Sequence, residues 1–225
     1  MFIRFITSGL ALICCLFASP AFAEFESLNS SLILSGGYTK AKNACESPWL
    51  AYGINSGGTC YENHTALRLA YNYQFTPVWG FEVSYGDLGN ATGGGTSTPF
   101  GTAATWSLKA SGWAFAGTAT VPIAGGFSVF GKLGTVRAEF YENIHASTST
   151  GVIMEGISFN GVPISRQIKN AVTYGAGVQY ELNKKFALRA QYENFGSYDI
   201  YSAYGISSPP RIALSMLSAG IVLKF

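Results

Sequence analysis

The sequence predicts an all-β protein, an eight-stranded antiparallel up-and-down transmembrane β-barrel with four long external loops and short periplasmic turns. Three observations support this fold class. The chain begins with a segment typical of secretory signal peptides, the rest contains many apolar residues but no long apolar run, and apolar side chains recur at every second position. Because side chains alternate across a β-strand, this periodicity indicates strands with one apolar and one polar face.

The first 23 residues have the features of a cleaved signal peptide. Arg4 supplies a positive charge, an apolar stretch runs from Phe5 to Ala18, and Ala21 and Ala23 form a small-x-small cleavage site around Phe22. The apolar stretch is shorter than the ~20 residues of a spanning helix, which disfavours the alternative of a retained membrane anchor. We expect cleavage after Ala23 and one mature domain, residues 24–225.

The composition is unusual for a soluble domain. Charged residues make up 12% of the chain, aromatic residues 15%, and there are 27 glycines, whereas an average soluble domain is about 25% charged. Without Arg4 the mature chain has 13 basic and 12 acidic residues, a balance that gives no indication of nucleic-acid binding. No apolar run after Ala23 approaches the length of a membrane-spanning helix.

Four alternating segments are predicted in the first half of the mature chain. Their apolar residues are Leu32, Leu34 and Tyr38 in Ser30–Thr39; Leu67, Leu69, Tyr71, Tyr73 and Phe75 in Thr65–Phe75; Phe81, Val83 and Tyr85 in Trp79–Leu88; and Trp113, Phe115, Ala119 and Val121 in Trp106–Val121. The intervening residues are mostly polar or small, as in strands between two different environments. Ile33 is an exception on the polar face of the first segment.

Four further segments complete the set of eight. Their apolar residues are Phe127, Val129 and Leu133 in Phe127–Phe140; Val172, Tyr174, Ala176, Val178, Tyr180 and Leu182 in Ala171–Leu182; Phe186, Leu188, Ala190 and Tyr192 in Phe186–Asn194; and Leu217, Ala219, Ile221, Leu223 and Phe225 in Leu217–Phe225. Phe130 and Val136 interrupt the alternation of the first of these, where we expect a β-bulge.

The connections alternate between short and long. The short ones are residues 76–78, 123–126 and 183–185, and the long ones are residues 40–63, 87–105, 141–170 and 196–211. In an up-and-down sheet all the long connections then lie at one end, which is typical of outer-membrane barrels. A soluble barrel is disfavoured because its large apolar residues face inward, whereas here the small, mixed face suits a narrow interior.

The polar faces of the predicted strands carry several charged residues. It includes Arg68, Glu82, Lys132, Glu181, Arg189 and Glu193, together with Gln191. Because isolated charges in a narrow lumen are costly, we expect these residues to form a hydrogen-bonded ion-pair network inside the barrel. An eight-stranded lumen is filled by side chains, so open-porin activity is not expected.

Cys45 and Cys60 are the cysteines that remain after removal of residues 1–23, and both lie in the first long connection. In an oxidising compartment an even pair predicts a disulfide, which stabilises the fold by ~3 kcal/mol at most. Free or metal-bound thiols are the alternative. Two thiolates with His64 nearby are an incomplete zinc site, so we expect no metal and no cofactor.

Several stretches resemble the OmpA-like, opacity-type outer-membrane β-barrel proteins. They are Leu69–Leu88, Phe127–Gly134, Tyr174–Tyr192 and Leu217–Phe225. The resemblance implies a bacterial outer-membrane location and contact with membrane lipid, lipopolysaccharide, periplasmic chaperones and the barrel-assembly machinery. It also implies that Ile221, Leu223 and Phe225 are the C-terminal assembly signal. The chain ends at the barrel, so the cell-wall tethering of full-length OmpA proteins is not expected.

Two activities known among eight-stranded outer-membrane barrels concern the interior and the rim. In OmpA-like barrels comparable ion pairs act as an internal gate, and a static plug is the favoured alternative here. Some eight-stranded outer-membrane barrels modify lipid A, and His145, Ser147 and Glu155 nominally supply a base, a nucleophile and an acid. We expect no catalytic residues, because His145 falls in a predicted Ser/Thr-rich loop. Gly93–Gly95 reads as a loop tip and not as a phosphate-binding loop.

The long connections carry large side chains among Gly, Ser, Thr and Asn. These residues are Trp49, Tyr52, Tyr61, Ile157, Phe159, Tyr201 and Tyr204. Exposed aromatic residues on polar loops favour recognition, so we expect a scaffold that supports the envelope and displays loops for adhesion to a host or other surface ligand. The alternatives are loops that merely cover the barrel mouth, a narrow gated pore, and a lipid A-modifying enzyme.

Overall fold

A computed structural model describes residues 29–46, 56–97, 102–147, 153–155, 158–159, 162–163, 166–200 and 211–225. The proposed signal peptide, with Ala21 and Ala23, lies outside the described residues. Among those that are described, no helix is long and apolar enough to cross a bilayer. A 3₁₀ helix at Ala44–Glu46 is the one helical element between residues 29 and 225 where the chain is described.

The described chain contains twelve strands. They are β1 (Ser30–Lys42), β2 (Ser56–Tyr61), β3 (Asn63–Gln74), β4 (Trp79–Ser97), β5 (Thr102–Ala124), β6 (Phe127–Ser147), β7 (Ile153–Glu155), β8 (Ser158–Phe159), β9 (Val162–Pro163), β10 (Gln167–Glu181), β11 (Phe186–Tyr198) and β12 (Ile212–Lys224). Eight of these described strands are long and form the barrel wall. The short strands β2 and β7 pair with the outer parts of β4 and β6.

The eight wall strands close into one antiparallel barrel. Their order is β1, β3, β4, β5, β6, β10, β11 and β12, and β12 pairs with β1 through partners such as Leu34 and Ile221. Closure leaves no open sheet edge within the bilayer, where unpaired backbone groups would be costly. The predicted eight-stranded barrel is thus confirmed.

Three short turns lie at one end of the barrel and are stabilised locally. The Thr76 hydroxyl accepts hydrogen bonds from the backbone N–H of Val78 and Trp79. Asn183 caps the β10–β11 turn in the same way. In the β5–β6 turn, Gly125 and Gly126 have φ values of 59° and 83°, a conformation that glycine adopts without a steric penalty.

The strands extend much further from these turns than the alternation pattern predicts. Segment 87–105, predicted to be a loop, forms strand up to Ser97 in β4 and again from Thr102 in β5. β5 has 23 residues, whereas a spanning strand needs about 9–11. The barrel wall therefore continues well beyond the membrane on the external side.

The apolar face of the wall changes side along the barrel. Near the turns the large apolar residues face outward: Phe115 on β5 is 41% exposed. Further out they face inward, so that Trp106 and Leu108 on β5 are each 1% exposed whereas Lys109, the residue after Leu108, faces outward. The outer half of the barrel thus has the apolar interior of a soluble β-barrel.

The expected bulge in Phe127–Phe140 is not formed, and this prediction is wrong. β6 pairs with β10 without a register shift over this range, and its pairing with β5 shifts only at the turn, between Pro122 and Ala124. Phe130 and Val136 instead face inward and are buried. They broke the predicted alternation because the inward face of this strand is itself partly apolar.

The outer surface of the membrane-spanning part is an apolar wall with aromatic residues at both edges. The edge near the turns carries Tyr73, Trp79, Phe127, Tyr180, Phe186 and Phe225, and the external edge carries Tyr38, Tyr85, Trp113, Tyr174 and Tyr192, all exposed. Pairs of rings contact each other within each edge, with centroid separations of 4.9 Å for Tyr85–Trp113 and 4.5 Å for Phe127–Tyr180. This arrangement matches the two interfacial girdles of outer-membrane barrels.

Candidate functional site

A cluster of charged side chains fills the middle of the lumen, and Glu82 on β4 is at its centre. Its Oε1 lies 3.2 Å from Nη2 of Arg68 and 3.0 Å from Nζ of Lys132. Its Oε2 lies 3.0 Å from Nη2 of Arg189. The three cations come from β3, β6 and β11, so four strands converge on this one carboxylate.

Glu193 on β11 is the second carboxylate of the cluster. It contacts a guanidinium nitrogen of Arg68, and its Oε2 lies 2.6 Å from Nζ of Lys132. The Thr173 hydroxyl donates a further hydrogen bond to Glu193 over 3.3 Å. All of these side chains are nearly inaccessible to solvent, which makes their mutual pairing essential.

Neutral groups complete the cluster. The Gln191 side-chain oxygen accepts hydrogen bonds from Lys132 over 3.4 Å and from Nε of Arg189 over 3.1 Å. The Arg189 guanidinium also lies 3.7 Å from the ring centroid of Phe130, a cation–π contact that stabilises a desolvated cation. We refer to Arg68, Glu82, Lys132, Arg189, Gln191 and Glu193 as the lumen cluster; it holds three cations and two carboxylates.

The structure does not bring Glu181 into the lumen cluster, so this part of the predicted network is wrong. Glu181 lies at the turn end of β10, where it pairs with Lys224 over 2.6 Å and is about 30% exposed. Lys132 on β6 is opposite Gly175 on β10, and Gly175 is six residues from Glu181 along β10. Parity predicts the side of the sheet on which a residue lies but not its depth in the barrel.

Apolar layers lie on both sides of the lumen cluster. Ile33, Ala70, Ala187 and Val222 form a small buried group toward the turns. On the external side is a larger core whose bulkiest members are Leu88, Trp106, Leu108, Phe140, Phe195, Tyr198, Ile212, Leu214 and Met216. We call it the external core.

Sequence reasoning missed the external core. Trp106 donates a hydrogen bond of 2.6 Å to the buried carboxylate of Glu142 within this layer, and the Tyr198 hydroxyl donates one of 2.6 Å to the carbonyl of Phe195. A signal was present, because Trp106, Leu108 and Ala110 alternate with Ser107, Lys109 and Ser111. This apolar series has the opposite parity to the apolar series in the membrane-spanning segment of β5.

Cys45 and Cys60 form a disulfide with a Cα–Cα distance of 5.9 Å. Both are partly buried against the external core, and the backbone N–H of Cys45 donates a hydrogen bond to Glu62. The alternative of free or metal-bound thiols is therefore wrong. Within the described part of the chain, no group of three or more His, Cys, Asp or Glu residues is arranged to hold a metal ion.

The nominal catalytic residues lie on strands. His145 and Ser147 belong to β6, and His145 is the register partner of Glu155 on β7. The expectation that His145 lies in a loop is therefore wrong. The backbone places His145 and Glu155 next to each other at the external end of the barrel.

The other predicted sites are the C-terminal assembly signal and the recognition residues of the long connections. Ile221, Leu223 and Phe225 all face outward, and Phe225 exchanges two backbone hydrogen bonds with Ser30 at the barrel seam. Of the predicted recognition residues, Tyr61 on β2 is 62% exposed. Phe159 lies on β8, and the others, Trp49, Tyr52, Ile157, Tyr201 and Tyr204, lie outside the described residues.

Comparison with known proteins gives a family match. The sequence profile of the OmpA-like transmembrane domain matches residues 37–225. No curated protein sequence matches the chain.

Solved outer-membrane barrels are similar in structure at low sequence identity. Ail, the attachment invasion locus protein of Yersinia pestis, is 17% identical over 87% of this chain and 99% of its own, with a TM-score of 0.43. Neisserial surface protein A is 13% identical over 88% and 97%, with a TM-score of 0.46. The outer membrane protein OprG of Pseudomonas aeruginosa is 14% identical over 87% and 97%, with a TM-score of 0.47.

Proposed function

The chain belongs to the OmpA-like transmembrane domain family and is a β-barrel of the bacterial outer membrane, and on that premise we propose that it is a closed scaffold with an external part that contacts other surfaces. The proposal has two elements, a lumen that conducts no solute and an external rim that carries the function. Each element rests on different residues and has its own test.

The layered filling of the lumen is the observation that carries the proposal. A solute would have to pass the external core, the lumen cluster and the apolar group of Ile33, Ala70, Ala187 and Val222 in succession. An open aqueous channel requires a wider barrel, because the interior of an eight-stranded one is filled by side chains. This supports a static plug rather than a pore.

The external part has the features of a rigid display platform. The Cys45–Cys60 disulfide ties the first connection to the external core, and β2 adds to the outer end of β4. Loops held by a rigid scaffold commonly carry binding residues. Tyr61, exposed on β2, is a candidate contact residue for a host-cell or other surface ligand.

Adhesion is tested with whole cells. We expect cells that express the protein to bind epithelial monolayers or immobilised matrix proteins, and we expect Tyr61→Ser together with Gly/Ser replacement of residues 47–55 and 201–210 to abolish this binding. Glu181→Gln, on the opposite end of the barrel, is the control and should bind normally. Unchanged adhesion of the loop variant, at equal surface expression, would exclude loop display as the function.

A gated pore is the second candidate, and the lumen cluster is the observation that favours it. Three cations share two carboxylates, and Arg68 and Lys132 each contact both of them, so these two cations keep a carboxylate partner if they separate from Glu82. Conduction would also require the external core to separate. Because that core is apolar and packed, we regard the pore as the weaker candidate.

Planar-bilayer recording separates the two candidates. The plug predicts no discrete conductance steps for the wild-type protein and none for Glu82→Gln. The gate predicts steps whose frequency rises in Glu82→Gln, since the cations then lose a partner. A large conductance in the wild-type protein would contradict the plug.

Catalysis is not part of the proposal, although His145 and Glu155 are adjacent in register. Lipid A from cells that overexpress the protein is expected to have the mass of lipid A from control cells. A change in acylation that is lost in His145→Ala would instead support the enzyme.

Export and assembly complete the proposed function. We propose cleavage after Ala23 by signal peptidase, transport by periplasmic chaperones, and recognition of Ile221, Leu223 and Phe225 by the barrel-assembly machinery. These three residues lie on the outward face of the terminal strand and are 39–57% exposed in the closed barrel, so a partner can contact them from outside the wall.

A further inference from the structure

The lumen cluster contains more positive than negative charge. Its three cations, Arg68, Lys132 and Arg189, face the two carboxylates of Glu82 and Glu193, so its formal charge is three minus two, or +1. Each of these side chains is at most 7% exposed, and their ion pairs join them to one another. Because a buried charge without a counter-charge is costly, one further negative charge would be favourable at this level of the lumen.

Two buried donors at the edge of the cluster form no hydrogen bond with the described residues. They are Nη2 of Arg189 and the hydroxyl of Ser218, and Ser218 is 5% exposed. Nη2 lies 3.0 Å from Oε2 of Glu82, but these two atoms are not aligned for a hydrogen bond. Buried polar groups are nearly always hydrogen-bonded, so the two donors point to an acceptor other than a protein side chain.

The two donors belong to neighbouring positions of β11 and β12. Arg189 is the register partner of Gly220, and Gln191 is the register partner of Ser218. Directly opposite residues of an antiparallel pair have Cβ atoms about 5 Å apart, so the Gln191 side chain lies beside the Ser218 hydroxyl. On β1, Gly37 is opposite Ser218. A small ion at this place therefore meets no long side chain from β1 or β12.

The surroundings of this place are apolar in both directions along the barrel. The small group that contains Ile33 and Val222 lies toward the turns, and the external core lies on the other side. Electrostatic attraction is stronger in such surroundings than in water. The excess charge of the lumen cluster therefore favours a counter-ion inside the barrel over one in the solvent.

We propose that the lumen cluster encloses one small monovalent anion, chloride in the cell, held by Arg189, Gln191 and Ser218. One negative charge cancels the formal charge of the cluster, and a halide accepts N–H and O–H donors without needing a donor in return. Repulsion by the Glu82 carboxylate places the anion on the Ser218 side of the Arg189 guanidinium. Since the lumen has no open path, the anion is enclosed as the barrel closes. The site goes beyond the proposed scaffold, because a filled lumen is closed with or without the ion.

The direct test uses bromide as the probe. The full mature protein is refolded and crystallised in sodium bromide, and diffraction is measured above the bromine absorption edge. We expect one anomalous peak in the lumen, within hydrogen-bond reach of the Ser218 hydroxyl and the Arg189 guanidinium. Crystals grown in sodium gluconate should show no such peak.

The second test measures stability against chloride concentration. Chloride is replaced stepwise by gluconate at constant ionic strength, and urea unfolding is followed by the fast-migrating folded band of unheated samples on a denaturing gel. An ion that binds only the folded state raises the folding equilibrium constant about tenfold for each tenfold rise in its concentration once the site is nearly saturated. We expect this dependence in the wild-type protein.

Three variants assign the effect to the site. Arg189→Gln makes the formal charge of the cluster zero and should abolish the dependence on chloride. Ser218→Ala keeps the charge and removes one donor, so about tenfold more chloride should be needed for the same effect; it keeps the test valid if Arg189→Gln does not fold. Ser128→Ala is the matched control, because Ser128 is a buried serine at the turn end of β6, and it should respond like the wild type.

Three results would overturn the proposal. One is the absence of a lumen bromide peak in the wild-type crystals. Another is a wild-type folding equilibrium constant that does not depend on chloride, which would mean that the cluster loses its excess charge by releasing a proton. The third is an identical chloride response of Ser218→Ala and Ser128→Ala, which would place the effect of the ion elsewhere on the protein.

Discussion

At the scale of single residues, the lumen cluster is where the structure has the least tolerance for change. Glu82 balances three cations at distances of 3.0–3.2 Å, and Glu193 balances two of the same cations. Burial of charges is unfavourable unless each is paired, so removal of one partner leaves the others uncompensated. Of these residues, Glu82 contacts the largest number of cations.

Glu82→Gln is therefore expected to lower the free energy of unfolding by about 3–5 kcal/mol, the range for breaking a buried ion pair. Unfolding in urea, followed by the loss of the fast-migrating folded band, measures this change. Glu181→Gln is the matched control and should change stability by at most ~1 kcal/mol, because its pair with Lys224 is partly exposed. Similar losses in both variants would contradict the central role of Glu82.

Glu139 provides a pH-dependent prediction outside the membrane segment. The hydrogen bond from Tyr141 and the neighbouring Arg166 hold the pKa of this carboxyl below its ordinary value. Its stabilising contacts are therefore fully present above the ordinary pKa and are lost as the pH falls through the lower pKa of the folded state.

Carboxyl ¹³C NMR titration of Glu139 measures this pKa directly. We expect a midpoint below the ordinary value of ~4.3 in the wild-type protein and an upward shift in Tyr141→Phe, which removes the first cause. A midpoint at or above the ordinary value would show that the Glu139–Tyr141–Arg166 contacts do not persist in the folded protein.

At the scale of elements, several long strands, β5 and β12 among them, have two amphipathic segments of opposite parity. On β12, Leu214 and Met216 face inward into the external core, whereas Leu217 and Ile221 face outward to lipid. The boundary lies where the solvent around the barrel changes from lipid to water. An apolar outer face is favourable on one side of that boundary and an apolar interior on the other.

Leu214→Ala is expected to cost about 2–5 kcal/mol, because it leaves a cavity in a packed core. Leu217→Ala is the matched control on the same strand, and its cost should be smaller because lipid chains occupy the vacated space. Urea unfolding of both variants in the same lipid gives the comparison. A larger loss for Leu217→Ala would contradict the packed external core.

At the scale of the whole molecule, the barrel is taller than a membrane requires. The 23 residues of β5 extend over roughly 75 Å at ~3.3 Å per residue. At the usual strand tilt this length corresponds to roughly 55 Å of barrel height, whereas the apolar band of an outer-membrane barrel is ~25 Å tall. About half of the barrel height is therefore external to the membrane. In that half the strands bury their apolar side chains in the barrel interior and not against lipid.

The mature protein is predicted to begin at Glu24. Intact-mass measurement of the protein extracted from outer membranes should give the mass of residues 24–225 with one disulfide. Ala23→Arg should block processing, because the cleavage site requires small residues. Recovery from outer membranes of wild-type protein that retains residues 1–23 would contradict the proposed cleavage.

The sequence by itself determined the strand class, the number of wall strands and the residues that face lipid, because period-two alternation depends only on local geometry. It also placed Arg68, Glu82, Lys132, Arg189 and Glu193 on the inward face, where the structure has them. The pairing of the two cysteines could also be predicted from the sequence, since only two cysteines remain after residue 23.

Only the tertiary structure decided how deep each inward residue lies and where each strand crosses from lipid to water. Depth depends on the register of neighbouring strands, which separates Glu181 from Lys132 although both have inward parity. The side of the apolar face depends on the surrounding solvent, which is why the inward-facing Trp106 and Leu214 were not recognised as a core. Both properties arise from barrel closure and not from any single segment.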